Sequence, residues 1–330
     1  MHTAAGEWLL FDSCINPSDN KPAGLSYLEA IGVSVEDSVK LVVATHWDDD
    51  HIAGLARVVE KATSAIVACS GTLTDEDVLA FVYAQEGEET SPLGSGVDEL
   101  RAILELRGRE IVWAKENVPL CPHPPGDSPA VVALSPSEDA VARSVESLIE
   151  AATGKSVTLR RRYTASEGPN GASIACSVRG PDDRIILGAD LVNGPNPAAG
   201  WDAVLSNAKP EGPAAVFKVP HHGSEGAHHD GVWEEMLADD PIAVLTPWTL
   251  AGNYLPLERD IERLKRFTDN VFLTAMPALK RVEKAAQVER LIRRLHGDQL
   301  ETLTGWGHVR ARKRVGDSWR VDLFGDACAA

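Results

Sequence analysis

Thr45-His46-Trp47-Asp48-Asp49-Asp50-His51-Ile52-Ala53-Gly54-Leu55 is the stretch of this 330-residue chain that decides the fold. It places two histidines and three aspartates close together. The apolar residues 41–44 before it predict a buried strand, and the residues from Gly54 onward predict a helix. We therefore expect the polar stretch to form a turn at the end of a strand, where a rigid scaffold can hold several side chains around one point.

The residue types in this turn indicate a metal site. Alternate residues of an extended turn point the same way, so His46, Asp48 and Asp50 are predicted to converge, with His51 beside them. Imidazole nitrogens and carboxylate oxygens are good ligands for zinc, iron or manganese. The alternative is a solvated acidic loop, because clusters of acidic residues are common on loops.

Two later predicted strands also end in residues of the ligand type. The apolar residues 184–187 are followed by Gly188, Ala189 and Asp190. Residues 215–219 form a second apolar run, which is followed by Pro220-His221-His222-Gly223-Ser224. Three separate strands would thus bring potential ligands to their ends.

The order of these motifs resembles the metallo-β-lactamase superfamily, whose His-x-His-x-Asp-His motif is matched by His46-Trp47-Asp48-Asp49-Asp50-His51. The segment Lys218-Val219-Pro220-His221-His222-Gly223-Ser224 is most similar to the branch that contains the hydrolase domain of the ComEC DNA-uptake channel and phosphorylcholine esterases. The resemblance implies an α/β fold, a four-layer βα/αβ sandwich of two mixed sheets packed face to face with helices outside. It implies one such domain over residues 1–280, with residues 281–330 as a helix and β-hairpin extension packed on it.

The same resemblance implies one or two divalent metal ions, with zinc favoured. His46 and Asp48 would hold the first ion, Asp50 and His51 the second, and Asp190 would bridge them. His222, or His221 as the weaker choice, would complete the first site. Asp50 and His221 are the predicted catalytic residues, the latter as proton donor to the leaving group. The predicted substrate-binding residues are Lys218, Ser224 and Asn170, the last in a segment of Asn and Ser that the branch places before a strand.

Two departures from the family pattern affect the metal prediction. Position 48 is Asp where the family usually has His, and a carboxylate there shifts the preference toward manganese or iron. The branch often has a second-site His where this chain has Asn253, so Asn253, His228 or His229 would have to substitute.

Asp12, at the end of an early predicted strand, agrees with the family pattern. It matches an Asp that usually supports the site without binding metal.

The composition limits the partners of the chain. A net charge of −17 disfavours nucleic acid as a partner, although the basic residues 160–162 and 310–314 leave it possible. The sequence has no apolar run of membrane-spanning length, no secretory signal pattern and five scattered cysteines, so we expect a cytoplasmic protein without membrane attachment. A small or terminal phosphodiester-type substrate fits this composition best.

The leading functional hypothesis is therefore a metal-dependent hydrolase of phosphodiester bonds, a nuclease or small phosphodiesterase that uses a metal-activated water. The runner-up is a hydrolase of another ester, lactone or amide. A hypothesis of another class is a degenerate scaffold or regulatory partner without catalysis. Buried, mutually repelling carboxylates speak against this last idea, because they are costly unless a cation compensates them.

Overall fold

A computed structural model describes residues 1–3, 5–84, 96–106, 108–121, 130–152, 168–250, 253–276 and 306–330. The predicted helix over residues 280–296, the basic residues 160–162 and most of the predicted loop around His123 lie outside the described residues.

The strands are short, most having two to six residues, and they are listed here with their bounds: β1 (Trp8–Phe11), β2 (Ile15–Asn16), β3 (Lys21–Pro22), β4 (Val39–Val43), β5 (Ile66–Ser70), β6 (Ile111–Ala114), β7 (Ala130–Ala133), β8 (Cys176–Arg179), β9 (Arg184–Leu187), β10 (Ala214–Lys218), β11 (Leu237–Leu245), β12 (Trp248–Leu250), β13 (Asn253–Leu255), β14 (Val271–Leu273), β15 (Gly307–Arg312), β16 (Arg320–Gly325) and β17 (Cys328–Ala329).

The α-helices lie between the strands, with these bounds: α1 (Ala23–Ala30), α2 (Val35–Ser38), α3 (Asp49–Ile52), α4 (Leu55–Lys61), α5 (Glu76–Ala84), α6 (Val97–Glu105), α7 (Glu138–Ala152), α8 (Gly200–Ala203), α9 (Asp230–Met236) and α10 (Glu258–Leu264). Single 3₁₀ turns span Gly71–Thr74, Pro169–Ala172, His221–Gly223 and Glu225–Ala227, and Val204–Ala208 is a π-helical turn.

Helix α7 shows how the local sequence sets these elements. Its start is fixed by Ser137, whose Oγ accepts a hydrogen bond from the backbone N–H of Ala140 at 3.2 Å. Val141, Ser144 and Leu148 then recur at helical spacing and are buried on one face. The structure confirms the helix predicted over residues 138–152.

Within the described residues, the first sheet has four parallel strands in the order β1-β4-β5-β6. The second, counted over the same residues, has seven strands in the order β17-β14-β11-β10-β9-β8-β7. Its central strands β14, β11, β10 and β9 run parallel, while β8, β7 and β17 are antiparallel to their neighbours. The second sheet is thus mixed, while the first is wholly parallel.

Three clusters of buried apolar side chains in the described residues reveal the layers. Along β4, Val39 and Val42 pack into a cluster with the helices outside the first sheet, whereas Leu41 and Val43 point into a second cluster. This second cluster also contains Val131 of β7 and therefore fills the space between the two sheets. A third cluster covers the outer face of the second sheet. The predicted four-layer α/β sandwich is confirmed.

The C-terminal residues pack onto the second sheet. β15 and β16 form the predicted hairpin, and β17 pairs with the edge strand β14. The indole Nε1 of Trp319 donates to Asp183 Oδ2 at 2.9 Å, which ties the hairpin to the turn between β8 and β9. The predicted domain boundary at residue 280 lies outside the described residues and stays a prediction.

Part of the basic patch on this hairpin is neutralised locally. Arg310 and Arg312 lie 3.0 Å and 2.8 Å from Asp322 Oδ2, so both guanidiniums already have an anionic partner. No helix in the part of the chain that the structure describes is long and apolar enough to cross a membrane.

Candidate metal centre

Four strands deliver polar side chains to one edge of the sandwich. β1 is followed by Asp12, β4 by Thr45 and His46, β9 by Asp190, and β10 by His221 and His222. These strands are parallel within their sheets, and the carboxyl ends of parallel strands lie at the same edge. The site therefore spans the top of both sheets.

The turn after His46 differs from the extended conformation predicted for it. Residues Asp49–Ile52 form one helical turn, α3, with Asp48 at its N-cap. A helical turn rotates successive side chains by about 100° each, so the prediction of simple alternation was wrong here. Asp50 and His51 are turned toward Asp190 and His222, and Asp48 stays beside His46.

Asp50, His51, Asp190 and His222 form a compact group of potential ligands within the described part of the chain. Each offers one ligand atom, and these atoms all lie within 4.8 Å of one another. Asp190 Oδ1 is 3.1 Å from His51 Nε2, and Asp190 Oδ2 is 3.5 Å from His222 Nε2. Asp50 Oδ2 lies 3.1 Å from His222 Nε2. The two oxygens of Asp190 thus face two different imidazoles.

A single carboxylate, Asp12, orients the histidines from the opposite side. Its Oδ2 lies 2.7 Å from His51 Nδ1 and also accepts a hydrogen bond from Thr45 Oγ1 at 2.8 Å. Asp12 Oδ1 accepts from the backbone N–H of Thr45 at 2.8 Å. Because the imidazole donates Nδ1–H to Asp12, its Nε2 is directed toward Asp190 and the centre of the group.

His46 is oriented through Thr45. Its Nδ1 lies 3.0 Å from Thr45 Oγ1. Since that hydroxyl gives its hydrogen to Asp12, it accepts Nδ1–H from His46 and leaves a lone pair on His46 Nε2. This Nε2 is buried and has no hydrogen-bond partner among the described residues. Asp48 Oδ2 lies 3.7 Å from it, so His46 and Asp48 border the four-residue group without joining it.

The backbone around these residues is strained in the same places. Asp12, Ala189, His221 and His222 all have positive φ values, of 58°, 45°, 44° and 55°. Non-glycine residues seldom adopt this left-handed conformation, and such strain tends to occur at functional sites.

The charges of the group are strongly coupled. Burial acts to lower the pKa of His51, but the carboxylates of Asp12 and Asp190 outweigh it and hold the pKa well above its usual value. Burial acts to raise the pKa of Asp190, but the histidines, His51 above all, hold it well below its usual value. The metal-free site therefore contains a charged imidazole between two carboxylates.

The pKa values of His46 and Asp48 shift in the opposite directions to those of His51 and Asp190. Burial lowers the pKa of His46 to about 4, so its ring is neutral at pH 7. Burial, with the neighbouring Asp50 carboxylate, raises the pKa of Asp48 to about 6. A neutral imidazole and a carboxyl group that loses its proton near neutral pH are both available to a cation.

The remaining predicted residues surround the group. His221 Nδ1 is 2.8 Å from Ser224 Oγ, and the ring centroid of His221 lies 5.8 Å from that of His222. Lys218 faces the inside of the sandwich, because its neighbour Phe217 packs into the outer cluster. Its amine donates to the carbonyl of Val219 at 3.2 Å, and burial lowers its pKa against the opposing effect of Asp190, Asp12 and Asp50.

Asn170 lies in the 3₁₀ turn Pro169–Ala172, which directly precedes Ser173. Its Oδ1 is buried and has no hydrogen-bond partner among the described residues. Three residues later, Ser173 Oγ accepts from the backbone N–H of Asp190 at 3.1 Å. The turn therefore supports the bridging candidate, while the predicted contact of Asn170 with substrate stays a prediction.

The residues considered as substitute ligands are engaged elsewhere. His228 Nε2 is 2.8 Å from Asp230 Oδ1, and His229 Nε2 is 3.1 Å from Asp202 Oδ1. Neither aspartate belongs to the four-residue group. Asn253 is exposed on the small hairpin formed by β12 and β13.

Three residues of the site were not predicted from the sequence. Thr45 donates a hydrogen bond to Asp12, Ser173 accepts one from the backbone of Asp190, and Trp248 stacks on His222 with ring centroids 5.9 Å apart. Thr45 adjoins His46, which is a signal that could have been used. Trp248 follows an apolar strand, where an aromatic residue gives no hint of its position.

The donor set fits a divalent metal ion. Two buried polar atoms, His46 Nε2 and Asp190 Oδ1, have no well-aligned hydrogen bond within the described residues, although they face the site. Nitrogen and carboxylate oxygen ligands suit zinc, manganese and iron. A cation would also compensate the carboxylates, which otherwise repel one another.

Comparisons with known proteins identify one matching family and similar solved structures. The sequence pattern of the family described as "Metallo-beta-lactamase superfamily" matches residues 3–247. Among solved structures, the Rm3 metallo-beta-lactamase is 14% identical, with a TM-score of 0.32, over 65% of this chain and 68% of that chain.

MEM-A1, a subclass B3 metallo-beta-lactamase isolated from a soil metagenome library, is 15% identical, with a TM-score of 0.30, over 64% of this chain and 69% of that chain. No curated protein matches the sequence. Because the family pattern covers most of the chain, this protein belongs to the metallo-β-lactamase superfamily.

Proposed function

We propose that this protein hydrolyses phosphodiester bonds in a small or terminal substrate and depends on one or two divalent metal ions. The superfamily consists typically of metal-dependent hydrolases. The observation that carries the proposal is the convergence of Asp50, His51, Asp190 and His222, whose ligand atoms all lie within 4.8 Å of one another. The finer assignment to phosphodiesters rests on the similarity of residues 218–224 to the ComEC-type branch.

The residues of the group would bind the cation, and their neighbours would keep them in place. Asp50, His51, Asp190 and His222 are the primary ligands, with His46 and Asp48 available beside them. When bound, a divalent ion supplies Lewis acidity and lowers the pKa of water to near neutrality. Asp12 and Thr45 hold the nitrogens of His51 and His46 toward the ion. The metal ligands thus require little rearrangement on binding.

His221 is the proposed proton donor to the leaving group. Ser224 fixes the orientation of its ring, and burial lowers its pKa, so the ring is neutral in the free protein. A nearby anionic phosphate would raise this pKa, because a negative charge favours the imidazolium form. The ring could then take up a proton in the substrate complex and pass it to the leaving oxygen.

Lys218 supports an anionic substrate. Its half-buried side chain lies on the inner face of the second sheet, three residues before the histidine pair. The ammonium group of Lys218 would offset part of the negative charge of Asp190, Asp12 and Asp50. A site that combines acidic ligands with one cation and one ammonium group tolerates a singly charged phosphodiester better than a long polyanion.

We propose a cytoplasmic location. All five cysteines are free of disulfide bonds in the structure, and two of them, Cys69 and Cys176, are buried. Free thiols are typical of reducing compartments. Fractionation of the native host's cells would test this proposal, because recovery of the protein in a secreted fraction would contradict it.

The proposed activity is tested by loading the metal-free protein separately with Zn²⁺, Mn²⁺ and Fe²⁺ and assaying four substrates. These are bis(p-nitrophenyl) phosphate, p-nitrophenyl acetate, a simple lactone and a β-lactam. We expect the phosphodiester to be cleaved fastest, and Asp190→Asn to lower kcat/KM by at least about 100-fold. Asp317→Asn, in an exposed turn of the hairpin, is the matched control.

Two other outcomes would replace the proposal. Preferential cleavage of the ester, lactone or β-lactam would assign the protein to acyl hydrolysis. Metal binding without turnover of any substrate class would favour the non-catalytic scaffold.

The Asp48 carboxylate should also influence which metal supports activity. We expect the ratio of activity with Mn²⁺ or Fe²⁺ to activity with Zn²⁺ to be higher in the wild type than in the Asp48→His variant.

A further inference from the structure

The loop that carries the histidine pair has an unusual backbone. His221, His222 and Gly223 are consecutive, and all have positive φ values, of 44°, 55° and 79°. Glycine tolerates this conformation, but the two histidines are strained in it. Such a turn persists only when surrounding contacts hold it.

Among the described residues, one side-chain hydrogen bond reaches the backbone of this turn from outside the loop. Arg263, in helix α10, donates from Nη2 to the carbonyl of Gly223 at 2.8 Å. The same guanidinium donates from Nη1 to Asp260 Oδ1 at 2.8 Å. Arg263 is thus a bridge between the strained turn and the helix behind it.

The helix end of this bridge is fixed. Asp260 is 1% exposed, and its Oδ2 accepts a hydrogen bond from the backbone N–H of Leu257 at 2.9 Å. Both carboxylate oxygens are therefore occupied, which sets the plane that the guanidinium must adopt. A planar, forked guanidinium can satisfy two fixed acceptors at once, whereas an ammonium group has no matching geometry.

The other end of the bridge acts on a metal ligand. The carbonyl that Arg263 binds belongs to the residue directly after His222. His222 Nδ1 donates to the carbonyl of Thr246 at 2.9 Å, so that Nε2 faces Asp50 and Asp190. The Gly223 carbonyl belongs to the peptide unit that closes this turn, so its displacement would allow the positive φ values of His222 and Gly223 to relax and the His222 ring to shift. The contact with Arg263 opposes that displacement.

We propose that Arg263 is a positioning residue that holds the His221-His222-Gly223 turn in its metal-binding conformation, with Asp260 as its anchor. This inference rests on the proposed metal dependence of the site. Arg263 contacts neither the ion nor the substrate, so its effect on both is transmitted through His222.

The test measures Co²⁺ binding to metal-free protein by chelator competition and by the visible absorption spectrum, which reports the ligand geometry. We expect Arg263→Met to weaken binding by about 10- to 100-fold, in the range found for partners of metal ligands, and to change the spectrum. Arg263→Lys should fall between the wild type and Arg263→Met. Arg259→Met, on the exposed side of the same helix, is the matched control and should leave both readouts unchanged.

Removal of Arg263 alone leaves a buried carboxylate unpaired and could unfold the chain. The double variant Arg263→Met/Asp260→Asn avoids this, because asparagine still accepts from Leu257 without carrying a charge. If a folded variant, single or double, binds Co²⁺ with the wild-type affinity and spectrum, the positioning role is wrong while the proposed function stands. If the wild type itself binds no Co²⁺, the metal-dependent function fails, and the inference fails with it.

Discussion

At the scale of single residues, the site depends on Asp12. We do not expect Asp12 to bind the metal ion, but it orients two histidines that face the site. Its Oδ2 contacts His51 directly and His46 through Thr45. It therefore fixes which nitrogen of each imidazole faces the centre. The family resemblance implied that Asp12 supports the site without binding metal, whereas its connection to His46 through Thr45 required the structure.

The variant Asp12→Asn should weaken metal binding by about 10- to 100-fold, the range for partners of metal ligands. Asparagine keeps the shape, but its amide offers one acceptor where Asp12 offers two, so either Thr45 or His51 loses its partner. Chelator competition with Zn²⁺ measures the effect, with Asp317→Asn as the exposed control. If Asp12→Asn binds Zn²⁺ as tightly as the control Asp317→Asn, Asp12 does not have the proposed orienting role.

Metal binding should tighten as the pH rises. The pKa of His51 is held well above its usual 6.5, so at pH 7 the metal-free protein carries a proton that the cation must displace. The pKa of Asp190 is depressed and that of His46 is about 4, so neither competes there. Between pH 6.5 and the raised pKa of His51, the apparent Kd should fall about tenfold per pH unit.

Calorimetry in buffers of different ionisation enthalpy measures the released protons directly. Release of about one proton per ion at pH 7 would agree with a charged His51. Binding that releases no proton and is independent of pH between 6.5 and 8 would show that His51 is neutral in the free protein.

At the scale of elements, strand ends could be predicted well because apolar runs that stop at polar residues mark them. The runs before His46, Asp190 and His221 became β4, β9 and β10. The turn after His46 was predicted to be extended, but it is helical. The sequence is ambiguous here because Asp48, Asp49 and Asp50 suit both a loop and a helix N-terminus. β12, β13 and β14 have three residues each, too few to show a period, and were not predicted.

Only the family resemblance favoured His222 over His221 as a metal ligand. Both follow the same strand, and the choice depends on the left-handed turn, which aims His222 at the group and His221 at Ser224. Substitution of Gly223 tests this turn. A Cβ there would lie 2.5 Å from Leu245 Cδ2, at a φ of 79°.

We expect Gly223→Ala to destabilise the fold by about 1–2 kcal/mol through its backbone conformation and to weaken metal binding because the clash displaces the turn. Gly212→Ala is the matched control, since Gly212 has a φ of 78° but nothing within 4 Å of the added Cβ. Denaturant unfolding and Co²⁺ titration measure the two effects. The assignment of His222 fails if both variants are destabilised equally and both bind Co²⁺ like the wild type.

At the scale of the whole molecule, the ion would connect the two sheets. His51 follows a strand of the first sheet, while Asp190 and His222 follow strands of the second. Binding at this position stabilises both sheets together. A ligand present at 100 times its Kd adds about 2.7 kcal/mol to the free energy of unfolding, which corresponds to a rise in Tm of about 4 °C for a chain of this size.

Differential scanning calorimetry with and without Zn²⁺ or Mn²⁺ measures this rise. Asp190→Ala should show no metal-dependent change in Tm, whereas Asp317→Asn should behave like the wild type. An equal rise in Asp190→Ala would mean that the ion binds elsewhere on this acidic surface.

The metal dependence of the site is best tested by elemental analysis of gently purified wild-type protein beside Asp190→Ala. We expect one or two equivalents of zinc, manganese or iron in the wild type and almost none in the variant, with both proteins folded. A folded wild type that takes up no metal, even after incubation with each of the three ions, would contradict this metal dependence.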